Sequence, residues 1–455
     1  MSGIVQTLVS FIVALGVLVT IHEFGHYWVA KRAGVRILRF SIGFGRPLWR
    51  RRFGSDDTEF VIAAIPLGGY VKMLDEREGP VLPADRARAF NTQPLSRRFA
   101  IVAAGPFANF LLALLVYWLM FMAGVTGARP FVGEVSPDGV AARSGLRAGD
   151  EIVAVDDRKT AIWDNVMSTA IAAILDEQSV RLEVRGEQGD ARTVILDMEQ
   201  LSVDDLSRGE FFTKLGFAPR RPKVPPVIGA LVPGEAAEEA GLAAGDRIVR
   251  LQGEPIDDWL TWVERIRANA GQRLDVVVER QGKELAITMV PRSSEADGRI
   301  IGRIGAEVAP FETAPEELVT AEERYTPGVA ALRAFERTVD VTVTTLKFMR
   351  KMVLGEASVE NLSGPISIAQ FAGESAKLGP SRFLEFLGLV SVSLAVLNLL
   401  PIPMLDGGHL MYYLIEFIIR KPVPEAIQLY GQHIGLMFLL GLMGLAIFND
   451  IMRIL

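Results

Sequence analysis

Four apolar runs constrain this chain more than anything else in it. Residues 4–28, 99–128, 386–405 and 426–448 are each long enough, as helices, to cross roughly 30 Å of hydrocarbon. The only Asp, Glu, Lys or Arg in any of them is Glu23. Half of the 455 residues are hydrophobic, and a globular core would not gather them into unbroken runs. The expected fold class is therefore a multi-pass α-helical membrane protein with four transmembrane helices. The chain has no cysteine, which excludes a disulfide scaffold and any thiolate metal site. A net charge of −6 gives no reason to expect nucleic acid as a partner.

Basic residues orient the spans. Lys31, Arg32, Arg36, Arg39, Arg46, Arg50, Arg51 and Arg52 follow the first run with no acidic residue among them, and Arg97 and Arg98 directly precede the second. The positive-inside rule puts residues 31–98 in the cytoplasm. The N-terminus, residues 129–385 and the C-terminus are then outside, and the segment 406–425, with Arg420 and Lys421, is inside. The first run does not read as a cleaved signal peptide, because Met1–Gln6 holds no Lys or Arg and the positive charge follows the run.

The outer region contains a duplication. "VGEVSPDGVAARSGLRAGDEIVAVDD" from Val132 and "IGALVPGEAAEEAGLAAGDRIVRLQG" from Ile228 align without gaps at an offset of 96 residues. A period this long means duplicated domains, about 129–220 and 221–320, and not a solenoid. Each copy reads as short helix, glycine turn and strand. Both resemble PDZ domains, β-rich modules that bind extended peptides by strand addition. The resemblance fits peptide capture and steric exclusion of bulky proteins equally well.

Two further stretches have a visible pattern. Residues 322–352, within a helical linker spanning 321–385, are amphipathic and fit either an interfacial helix or an ordinary packed one. Residues 60–74, "FVIAAIPLGGYVKML", read as strand, Pro/Gly turn and strand, a β-hairpin on the cytoplasmic loop.

The chemistry sits at the end of the first run. His22, Glu23 and His26 spell HExxH, and on a helix positions i and i+4 share a face. Two imidazoles so placed can hold one Zn²⁺ while the glutamate deprotonates a water. Two of the four histidines lie in this motif, inside an apolar helix where such groups need a reason. The alternative is a histidine pair satisfied by polar neighbours. His22 lies about 27 Å along the helix from Ile4, near the cytoplasmic end of the span. The third run also descends to that side, and Asp406, in "NLLPIPMLDGGH", is the first charge after it. Asp406 is thus the candidate third ligand. His409 is its rival and Glu416 a weaker one.

HEFGH in a first span with NLLPIPMLDGG in a later one resembles the site-2 protease family of intramembrane zinc metalloproteases. Tandem PDZ-like domains between the second and third spans narrow the resemblance to a bacterial type. It covers essentially the whole chain. It implies that His22, His26 and Asp406 bind one zinc ion and that Glu23 is the general base. "GPFAN" matches the family's second-span GxxxN pattern. Asn109 there is a candidate substrate-binding or oxyanion-stabilising amide, and small-residue helix packing accounts equally well for Gly105. Asn398 is a candidate substrate-orienting amide. Gly68, Gly69 and Tyr70 fall in the family's membrane-associated β-element, whose edge would hold an opened substrate segment in extended form. "NLSGPISI", residues 361–368, also fits the family, with no chemistry assigned.

These readings converge on a zinc-dependent endopeptidase of the bacterial inner membrane. By the resemblance its partners are single-span membrane proteins already trimmed by another protease, such as anti-sigma factors, and leftover signal peptides. The alternatives are a non-enzymatic PDZ-bearing receptor or chaperone, and a membrane-anchored metallopeptidase of soluble peptides. Intact Glu23 argues against the first and burial of the motif against the second.

Overall fold

The computed structural model describes residues 2–54, 56–199, 201–221, 223–296, 299–310 and 320–454. Among them four helices are long and apolar enough to cross a membrane: Ser2–Arg32, Leu95–Ala123, Pro380–Leu399 and Glu425–Ile454. Two of these helices end before the apolar runs that foretold them. The second stops at Gly124, whose φ of +99° a residue with a side chain rarely adopts. Val125–Ala128 then forms a strand paired with Thr320–Glu323. The third ends at Leu399 because Pro401 cannot continue it. Residues 400–405 turn the chain into a new helix, Asp406–Ile419.

The second span is the hub. Ala113 and Tyr117 lie fully buried against Val392 and Val396 of the third helix, and Leu112 and Val116 meet Ala14 and Leu18 of the first. Close approach of the first two helices depends on Gly25, where a Cβ would sit 2.8 Å from the Ala104 carbonyl carbon. The fourth helix is held at two places, one in its first half and one near its C-terminal end. A Cβ on Gly435 would run into Pro403. Near the C-terminal end Asp450, buried, accepts hydrogen bonds from the amides of Gly364 (2.9 Å), Ile366 (2.9 Å) and Ser367 (3.1 Å). These amides open the helix Pro365–Lys377, so a carboxylate of one helix caps another. This contact gives the NLSGPISI stretch its role.

Between the first two spans, Ile37–Phe53 and Thr58–Met73 form an antiparallel sheet. The expected hairpin within 60–74 does not form. Phe40 lies opposite both Val71 and Phe60, so residues 37–42 run between the two arms of the second strand. The bend at Pro66, which has no N–H to donate, separates those arms instead of pairing them. Phe44, Leu48, Trp49, Ile62 and Ile65 are exposed on this sheet, an apolar surface suited to lipid contact.

The duplicated region builds two strand-rich units on one plan. Each has a four-stranded sheet in the same order: Arg158–Lys159, Glu151–Val155, Val180–Arg185 and Ala191–Leu196 in the first, and Glu254–Pro255, Arg247–Leu251, Leu274–Arg280 and Lys283–Met289 in the second. One helix covers each sheet, Trp163–Asp176 and Trp259–Ala268. The repeated "AGD" has the same job twice. Asp150 takes the Arg147 amide and the Arg192 guanidinium, and Asp246 takes the Ala243 amide and the Arg280 guanidinium.

The amphipathic stretch becomes the helix Pro327–Leu354. It runs from the second span, where the Trp118 indole donates to the Pro327 carbonyl, to the first strand-rich unit. There Asp340 pairs with Arg158, Lys347 with Asp176 and Lys351 with Glu177, each at 2.7 Å.

Candidate metal centre

His22 and His26 sit one turn apart on the first helix and are both buried. Their rings meet edge to face, with Nε2 atoms 3.3 Å apart. The His26 Nδ1–H donates to the Ile101 carbonyl at 2.8 Å, so the His26 Nε2 presents a bare lone pair. Asp406 comes from the far end of the chain. It is in the first turn of its helix, where the dipole favours a carboxylate. Gly407 and Gly408 let the turn before it fold back on that helix, since a Cβ on Gly408 would lie 2.5 Å from the Ile402 carbonyl oxygen. The result places Asp406 Oδ2 at 3.1 Å from His22 Nε2 and 3.4 Å from His26 Nε2.

Three acceptor atoms thus point at one another, and Asp406 Oδ2 receives no hydrogen bond among the described residues. Such a cluster is electrostatically unfavourable by itself and favourable around a cation. Ligands set tetrahedrally at about 2.0–2.2 Å from a zinc ion lie roughly 3.3–3.6 Å apart. The observed separations match that spacing closely, and two imidazoles with one carboxylate form a ligand set that leaves a fourth position open. The residues fit zinc.

Space for this cluster comes from Gly105 on the second helix. A Cβ there would overlap His26 and lie 2.9 Å from His22 Cε1. Helix packing alone does not account for that glycine. Glu23 is half-buried beside the histidines, against the strand that carries Gly69 and Val71. Gly69 brings the strand this close, because its own Cβ would stand 3.0 Å from Glu23 Cγ.

The other sequence candidates divide. Gly69 reaches the cluster. Gly68 instead packs on Phe44, and Tyr70 stacks on Phe44 while accepting from Arg39 at 3.1 Å. Asn109 is fully buried behind His22, with Nδ2 at 3.3 Å from His22 Nδ1. Asn398, at the end of the third helix, is half-buried and makes no side-chain hydrogen bond among the described residues. Of the rival ligands, Glu416 is held by Arg98 at 2.6 Å, and His409 packs against Tyr412. Sequence reasoning did not single out Val71, Ile101 or Asp450. Ile101 acts through its backbone carbonyl and Val71 through the strand that carries it, and neither leaves a side-chain signal. Asp450 did leave one, as the first acidic residue after the fourth apolar run.

Comparison with known proteins agrees with this geometry. A family model described as peptidase family M50 matches residues 10–442. A protein of Escherichia coli named regulator of sigma-E protease RseP is 45% identical over 451 residues, which cover 98% of each chain. A putative zinc metalloprotease of Neisseria meningitidis is 42% identical over 99% of this chain and 100% of its own, and one of Vibrio cholerae is 40% identical over the whole of both.

Proposed function

The chain belongs to peptidase family M50, and on that premise we propose that it cuts peptide bonds within the membrane-spanning segments of single-span proteins. It is an integral membrane protein and a zinc-dependent site-2-type protease. The observation that carries the intramembrane reading is the convergence of His22, His26 and Asp406 at the end of an apolar helix, with Glu23 on the same turn.

His22, His26 and Asp406 hold the metal. Zinc, when bound, supplies Lewis acidity that polarises the scissile carbonyl and makes water acidic near neutral pH. Glu23 takes the proton of the attacking water and delivers it to the leaving nitrogen, forming the amine as the C–N bond breaks. The strand that carries Gly69 and Val71 packs against Glu23 and keeps its carboxylate beside the site during both transfers. A helical peptide bond is shielded by its own hydrogen bonds, so the substrate segment must open first. The arm 69–73, already against Glu23, has the extended backbone to hold that segment by strand addition. Asn398, with a free amide at the same end of the bundle, orients the segment.

The two outer units act as PDZ domains on the extracytoplasmic side of the bacterial inner membrane and admit substrates whose bulky outer domain is gone. The charge pattern supports that orientation, with the centre near the cytoplasmic face. Anti-sigma factors cut beforehand by another protease are the first substrate class, in keeping with the sigma-E regulation in the E. coli relative's name, and signal-peptide remnants are a second. The experiment is cleavage by the purified protein of a single-span substrate with its outer domain removed, the same substrate intact, and the same sequence without its span. Cleavage of the first alone supports the proposal. Equal cleavage of the span-less peptide refutes it.

A further inference from the structure

Asn109 invites a role different from the one its sequence pattern suggests. Its side chain is completely buried, and the His22 ring lies between it and the metal-ligand cluster. Substrate cannot reach an amide so placed. The position is also fixed. The Ser391 hydroxyl of the third helix donates to the Asn109 backbone carbonyl at 2.8 Å, and Ser391 too is fully buried. Gly105 is four residues earlier, on the same helix face.

His22 needs a partner there. Its Nε2 is turned to Asp406 and His26. An imidazole that gives its Nε2 lone pair to a metal carries its proton on Nδ1, and that N–H needs an acceptor. For His26 the acceptor is the Ile101 carbonyl. For His22 the one group at hydrogen-bond distance from Nδ1 among the described residues is the Asn109 amide, whose Oδ1 is buried and without a partner. A half-turn of the amide exchanges its oxygen and nitrogen ends, so the same side chain can offer Oδ1 to the Nδ1–H.

We propose that Asn109 is a positioning residue for zinc. Its amide oxygen accepts the His22 Nδ1–H and so holds the ring with Nε2 toward the metal. The GxxxN spacing then has a single account: Gly105 makes room for the two imidazoles, and one turn later Asn109 orients one of them. This inference rests on the zinc protease reading above.

The test is zinc affinity of the full-length protein in detergent, by competition with a chelator of known affinity, for wild type, Asn109→Leu and Asn109→Asp. Thermal unfolding of each variant is followed alongside, and kcat and KM are measured at saturating zinc. Leucine keeps the branched shape and number of heavy atoms and removes the acceptor, and affinity is expected to fall about 10- to 100-fold. Aspartate keeps an acceptor at the same place and is expected to hold zinc within a few-fold of wild type. At saturating zinc, Asn109→Leu should recover most of its kcat with an unchanged KM. Unchanged zinc affinity in Asn109→Leu overturns the inference, as does an equal loss in both variants, which would mean packing alone. A wild type that binds no zinc would overturn the underlying metal reading instead, and that outcome is separately visible.

Discussion

Substituting Gly105 by alanine should empty the metal centre without weakening the fold. The added Cβ would lie 2.5 Å from His26 Cε1 and 2.9 Å from His22 Cε1. Ordinary carbon contacts are about 3.5–4.0 Å, so relief requires the rings or the helix to move by roughly 1 Å. Metal–ligand distances tolerate about 0.2 Å. The rings cannot retreat independently, because His26 is tied to Ile101 and both face Asp406. Disturbing groups that merely support a ligand costs about 10- to 100-fold in affinity. Displacing ligands should therefore cost at least about 100-fold, or about 2.8 kcal/mol. Helix propensity acts in the opposite direction, favouring alanine by about 1 kcal/mol, so loss of metal could not be assigned to a weaker helix. Zinc content by atomic absorption after dialysis against graded chelator, with thermal unfolding in parallel, measures both effects. Gly16→Ala is the control, since its Cβ would meet nothing within 4 Å. Wild-type zinc affinity in Gly105→Ala would refute the reasoning, because the imidazoles could not then be where the geometry puts them.

Other expectations follow from the same contacts. Asp450→Ala strands three backbone amides at the start of the 365–377 helix and should lower stability by about 3–5 kcal/mol, read as a drop in the unfolding midpoint in detergent; Asp450→Asn, which keeps one acceptor, should lose less. Asp246 gives the second strand-rich unit an acid limit. Burial pushes its carboxyl up, but Arg280 and the Ala243 amide outweigh burial and hold it below its ordinary value. The stability it contributes is complete above the unfolded carboxylate pKa of about 3.9 and is lost as pH falls through the lower folded value. Hydrogen exchange of residues 228–308 should show that acid loss in wild type and not in Asp246→Asn, and identical profiles would refute it.

Much of the membrane part was legible in the sequence because its signals are local. An apolar run announces a span, and HExxH carries its own helical spacing. Asp406 could be placed near His22 because span directions alone put both at one face of the bilayer. Tertiary contacts had no such signal. Residues 60–74 hold a Pro/Gly turn, yet their arms pair with 37–42 because a neighbouring strand competes for the same edge. The third helix ends at Leu399 although hydropathy continues to Leu405, since hydropathy does not register the missing N–H of Pro401. NLSGPISI remained unexplained until Asp450, more than 80 residues away, was seen to cap it. Asn109 was visible as an amide in an apolar helix, but its place behind His22 is a contact between two helices that leaves no local signal.

The most direct test of the central claim is paired zinc content and cleavage for wild type and Glu23→Gln, using a single-span substrate without its outer domain. If Glu23 is the base and not a ligand, both proteins hold about one zinc each and only the wild type cuts, with the variant reduced by about 10²-fold or more. Zinc in both proteins with equal cleavage would contradict the assigned role of Glu23, and zinc in neither would contradict the metal centre itself.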